Sequence, residues 1–98
     1  MITAGDREGA RKIARHLVES GLGAGAQILP IESVYRWQGD IIEDQEWLIL
    51  VKTRSDRFDA IETATRDRHS YEVPPVLMIE MDEASERYLA WIDENLIG

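Results

Sequence analysis

From Glu8 to Ser20 the apolar residues Ile13, Ala14, Leu17 and Val18 recur at three- and four-residue steps, the period that lines up one face of a helix. Asp6, just ahead, can cap that helix by accepting from an otherwise unpaired backbone N–H, and Gly21 tolerates the left-handed backbone that ends it. The period then changes to two. "GAQILPIESVYRWQ" reads as a long strand with Ser33, Tyr35 and Trp37 on one side and Glu32, Val34 and Arg36 on the other. Pro30 has no N–H to give to a ladder, so it marks an edge or a bulge. "QGDI" is a tight turn, and "EWLILVKT" returns with Trp47, Ile49 and Val51 on one face and Leu48 and Leu50 on the other. Apolar residues on both faces suit a central strand. Ser55 or Asp56 caps a second helix that turns Phe58, Ile61 and Ala64 or Thr65 inward. "HSYEVPP" connects it to a strand, "VLMIEM". A last helix, "EASERYLAWIDENL", is expected to bury Leu89, Ile92 and Leu96.

With "MIT" as a short opening strand, the order is β-α-β-β-α-β plus a C-terminal helix. Two β-α-β halves joined by a hairpin predict an α/β (α+β) ferredoxin-like antiparallel sheet with helices on one face. The 98 residues make one domain, with no repeat and no linker.

Charge and composition narrow the function. The balance of 11 basic against 19 acidic residues, net −8, repels phosphate backbones and argues against nucleic acid as a partner. No cysteine is present, which removes disulfides, thiolate metal sites and thiol nucleophiles together. No stretch is apolar enough to span a bilayer and "MITAGDREGARKIA" lacks an apolar signal core, so a cytoplasmic protein without membrane contact is expected. No Ser–His–Asp arrangement or nucleotide fingerprint is found. "GLGAG" leads into a strand instead of opening a helix, the wrong setting for a phosphate site. Neither a catalytic residue nor an organic cofactor is predicted.

The candidate chemistry sits in four places. His69 and Tyr71, between a helix and a strand, read either as a metal or effector contact in a cleft or as a structural joint. In the second case the helix dipole favours the histidine and Pro74–Pro75 fix the path of the chain. Glu43, Asp44 and Glu46 could hold a hard divalent cation through oxygen, although such a run more commonly solvates a strand end. Tyr35, Trp37 and Trp47 read as hairpin packing between subunits, with a ligand cage as the rarer use. Lys52, with Thr53 and Arg54, is placed beside a cleft or at the cap of the next helix.

The ordered set Ser33, Tyr35, Trp37, Gly39, Lys52, Thr53, His69, Tyr71, Pro74, Tyr88 and Trp91 resembles the divalent-cation tolerance proteins of the CutA family. Members show S-x-Y-x-W-x-G in a hairpin, a strand ending in K-T, H-x-Y-x-x-P after a helix, and a closing Y-x-x-W. The resemblance spans about residues 2 to 97. It implies a non-enzymatic homotrimer of ferredoxin-like subunits, linked to tolerance of copper and other divalent cations. Cu(II) or another divalent ion is then the expected partner, with His69 as its first candidate ligand. Similarity to the PII signalling architecture implies an alternative, a regulator binding a small effector between subunits; a trimeric scaffold is the third option. Three departures stand out. Gly25, within "AGAQ", replaces a cysteine that many bacterial members carry, Pro75 replaces a common carboxylate, and the first strand starts several residues short.

Overall fold

The computed structural model describes all 98 residues. Strand β1 (Ile2–Ala4) leads into helix α1 (Arg7–Glu19), which starts where Asp6 Oδ1 accepts from the Gly9 N–H at 2.6 Å. It closes at Gly21, whose φ of 77° is open to glycine without strain, while the Leu22 and Gly23 N–H groups return to the Leu17 carbonyl. The buried face is Ala10, Ile13, Ala14 and Leu17. Val18, expected inward, is exposed: the buried stripe runs one step further back, through Ala10.

Strands β2 (Gly25–Trp37) and β3 (Asp40–Lys52) form one antiparallel hairpin, paired from Gly25–Lys52 out to Trp37–Asp40. Gln38 and Gly39 both have positive φ, the turn whose twist matches the flanking strands. β1 pairs antiparallel with β3 through Ile2–Ile49, Thr3–Leu48 and Ala4–Trp47, giving the order β1-β3-β2. Pro30 therefore lies on an edge strand, as its missing N–H requires. On the helix side Ile2, Ala4 and Ile49 meet α1 and Ile61, with Ala26, Ile28, Trp47 and Val51 packed around them.

The fourth strand is a correction to the expectation. "VLMIEM" runs beside β1, the place a ferredoxin-like sheet requires, but makes only the Ile2–Val76 bridge. The Leu77 N–H donates to the Met1 carbonyl, and the Met1 ammonium donates back to the Leu77 carbonyl at 2.8 Å. Met78 to Met81 have no ladder partner and are exposed.

Two helix expectations also change. Neither Ser55 nor Asp56 caps with its side chain; a 3₁₀ turn over Ser55–Arg57 feeds α2 (Phe58–Arg66), which buries Ile61 and Thr65 and leaves Phe58 half-buried. Helix α3 (Glu86–Glu94) is capped by Ser85 Oγ accepting from the Tyr88 N–H at 3.2 Å. Of its three expected core residues only Ile92 is buried; Leu96 is intermediate and Leu89 is 42% exposed. The surface Leu89 would cover in a complete sheet is the segment that never becomes a strand. Nowhere is a helix long and apolar enough to cross a membrane.

Candidate functional site

The site is built where the hairpin passes over β1 and the "HSYEVPP" connector returns. Partners in the β2–β3 ladder alternate faces, so Ser33, Tyr35 and Trp37 share a side with Asp44 and Glu46, opposite Glu43 and Trp47. The three acids of the 43–46 run are thereby split. Glu43 and Asp44 are solvated, Asp44 Oδ1 accepting from the Gln45 N–H at 2.9 Å, while Glu46 is only 6% exposed.

Glu46 is held by Tyr71, whose O–H donates to Oε2 at 2.7 Å. Tyr71 lies over Gly5, where an added Cβ would meet the phenol oxygen at 3.1 Å, so the small residue after β1 lets the ring reach the sheet. Burial, then the hydrogen bond to Glu46 and its charge, push the Tyr71 hydroxyl far above its ordinary value. Tyr35 is raised as well, first by desolvation and then by Asp44 and Glu46.

His69 anchors the connector. Its Nε2–H donates to the Thr3 carbonyl at 2.6 Å, and its Nδ1 accepts from the Tyr71 N–H at 3.0 Å. The rings of His69 and Tyr71 sit 4.6 Å apart, tilted by 50°. Both imidazole nitrogens are therefore engaged by backbone, and neither lone pair is free for a metal. No group of three or more His, Asp or Glu side chains converges anywhere in the chain. The residues of one subunit do not fit a preformed divalent-metal site, which needs several converging ligands.

They do enclose a cavity of about 620 Å³, lined by Ser33, Tyr35, Trp37, Glu46, Tyr71 and Glu72 among others. Lys52, paired in expectation with Tyr71, is elsewhere. It donates to the Gln27 side chain and borders a second hollow of about 470 Å³ with Leu50, Phe58, Ile79, Met81 and Leu89. Thr53 does not cap α2; its hydroxyl donates to the Leu22 carbonyl at 2.7 Å. Trp47 packs partly buried against its own subunit's core, while Tyr35 and Trp37 remain 37% and 43% exposed. Gly25 faces Trp91, whose Cη2 would lie 3.1 Å from an added Cβ. The sequence did not single out Glu72 or the Glu46–Tyr71 pair. The period-two face that groups Glu46 with Tyr35 was readable, but not the arrival of Tyr71 across 25 residues.

Comparison with known proteins agrees with this arrangement. A family model described as CutA1 divalent ion tolerance protein matches residues 1–95. The chain is 42% identical over 96 residues to the divalent-cation tolerance protein CutA of Thermus thermophilus, covering 97% of this chain and 93% of that one. The solved structure of that Thermus protein superposes with a TM-score of 0.93 over the same shares. The CutA1 structure from Pyrococcus horikoshii gives 0.94 at 31% identity, covering 99% of this chain and 95% of the other. A structure described as the periplasmic divalent cation tolerance protein CutA from Archaeoglobus fulgidus gives 0.93 at 37% identity, over 96% and 92%. With its ferredoxin-like fold and its full-length similarity to these proteins, the chain belongs to the CutA1 divalent ion tolerance protein family.

Proposed function

We propose that this chain is a non-enzymatic divalent-cation tolerance protein that works as a homotrimer, with the Glu46–Tyr71 cavity as its ligand site. The observation that carries the reading is the convergence of Ser33, Tyr35, Trp37 and Tyr71, all residues of the family motif, on one cavity holding a buried carboxylate.

Assembly is supported by what the subunit leaves uncovered. The outer edge of β2, the β1-side edge of residues 40–46 of β3 and the segment 78–81 have no pairing partner. The hairpin carries exposed Val34, Tyr35, Trp37 and Ile41 on a body measuring 44 × 27 × 21 Å. A closed ring of subunits would pair such edges without propagating into fibres. Location in the cytoplasm belongs to the same reading and is checked by cell fractionation.

Cu(II) is the ion to test first, with the tolerance arising through the cavity and the assembly and not through a chelate built by one chain. A second reading, a PII-like regulator that binds a small effector, is favoured by the cavity's size, which falls in the roughly 300–1,000 Å³ range of small-molecule sites. Expression in a bacterial host lacking its own homologue tests the main reading. Growth should extend to higher Cu(II), Zn(II) or Cd(II) than with empty vector. Unchanged sensitivity to all three ions, with the protein present at normal level, would overturn it.

A further inference from the structure

Helix α1 turns its apolar stripe to the sheet and a ridge of cations to solvent. Arg7, Arg11 and Arg15 follow one another at four-residue steps, all exposed, and Lys12 stands exposed beside them. Four of the chain's 11 basic residues therefore share this helix with two of its 19 acids, and the acidic excess lies wholly elsewhere. Arg15 is paired with Glu19, but both side chains are solvated, so the pair separates at little cost. Arg7, Arg11 and Lys12 have no ion-pair partner in the chain. Helix stability does not account for this row. Arg7 opens the helix, where the macrodipole disfavours a cation, and Arg7–Arg11 and Arg11–Arg15 are like charges at the spacing that repels. None of the edges through which assembly is proposed includes α1.

Successive arginines on such a ridge rise about 6 Å apart along the helix axis. Alternate residues of an extended chain point the same way and lie about 6.6 Å apart. An extended segment with acids at alternate positions therefore meets the three guanidinium groups in turn, and their planar forks match carboxylates. The rest of the chain decides how large the partner can be. A long nucleic acid or an anionic membrane would also meet the acidic remainder and be repelled. A short segment touches the helix alone. We infer that the outer face of α1 is a docking surface for a short acidic segment of a partner protein, held extended with its carboxylates on Arg7, Arg11 and Arg15 and with Lys12 at its flank.

NMR titration of the isotope-labelled, intact assembly at low salt tests it, because the method reads weak binding residue by residue. The probe is a capped octapeptide alternating aspartate and serine. Its controls are a block isomer of the same composition, an asparagine–serine analogue, a single-stranded DNA octamer, and phosphatidylserine vesicles followed by co-sedimentation. Saturable shifts confined to the amides of residues 7–19 are expected with the alternating peptide, and they should weaken as salt is added. The block isomer should bind at least about twofold more weakly, and the asparagine analogue should not saturate. An exposed ion pair is worth up to about fivefold in affinity, so Arg11→Gln should weaken the peptide about two- to fivefold. Arg7→Gln combined with Arg11→Gln should cost about five- to twentyfold. Arg87→Gln removes the same charge from an exposed, unpaired position on α3 and should leave the affinity unchanged. All three variants alter solvated side chains; an unchanged circular dichroism spectrum and assembly mass confirm that each is folded.

Absence of saturable shifts with the alternating peptide, or shifts centred outside α1, would overturn the inference. Equal losses in Arg11→Gln and Arg87→Gln would do the same, since they would mark a response to net charge and not to the ridge. A block isomer that binds as tightly would refute the extended register. DNA or vesicle binding that depends on Arg11, without a response to the peptide, would overturn the partner class. A ridge already covered by acidic residues of a second copy would overturn it too, and would be seen as α1 shifts in the free protein on dilution or on adding salt.

Discussion

Replacing His69 by alanine separates two roles that the sequence left open. In the structure the imidazole bridges two backbone groups, taking the Tyr71 N–H and donating to the Thr3 carbonyl, across 66 residues of chain. Each such bond contributes about 1 kcal/mol net, and the partly buried groups left behind add a desolvation penalty. The ring's packing on Tyr71 is lost as well. The sum is about 2–3 kcal/mol, a large fraction of the stability of a domain this size. With a urea slope on the order of 1.5 kcal/mol per M, the unfolding midpoint should fall by roughly 1–2 M. The measurement is made in EDTA, at equal subunit concentration, because a metal ligand should cost nothing in a metal-free protein and because assembly makes apparent stability depend on concentration. Cu(II) affinity, taken where both proteins are folded, should be unchanged. A metal-free variant within about 0.5 kcal/mol of the wild type, with copper affinity reduced tenfold or more, would refute the structural role.

Light scattering at micromolar concentration should report about three times 11.2 kDa, and Trp37→Asp should lower both that mass and the stability; a stable wild-type monomer or dimer would defeat the ring. Tyr71 is raised in the folded state, so its contribution to stability is complete below the ordinary tyrosine value of about 10 and is lost as pH rises through the folded value. Urea midpoints between about pH 9 and 10.5 should therefore fall less steeply in Tyr71→Phe than in the wild type, and equal slopes would count against a buried, carboxylate-bound phenol. Gly21→Ala places a Cβ at positive φ against the Ile97 side chain; thermal unfolding should show a loss of at least about 1 kcal/mol, and a neutral result would mean that the C-terminus does not dock there.

Legibility followed the distance over which each feature is decided. The Asp6 cap, the Gly21 stop, the Gln38–Gly39 turn and the alternating faces of the hairpin depend on neighbours a few residues away, and they stand in the structure as the pattern predicts. The family motif was equally open, since it is an ordered string. What escaped was set by distant partners. "VLMIEM" has a strand's composition but pairs with β1 only through the Ile2–Val76 bridge. Leu89 has the helical period of a core residue but no completed sheet to rest on. Both nitrogens of His69 are used by groups that a linear reading cannot bring near it. Glu46 looked like one of three surface acids until Tyr71 closed over it.

The projecting hairpin also has a genetic consequence. In a ring where each arm completes its neighbour, an altered arm harms the subunit that receives it as well as the one that carries it. Coexpressed with the normal chain in equal amount and mixing freely, a Trp37→Asp subunit still able to enter rings would leave only about one ring in eight wholly normal. Such alleles would behave as dominant, whereas a change that unfolds the subunit before it can mix would be recessive. Inheritance pattern would then distinguish defects of the arm from defects of the core around Ile49.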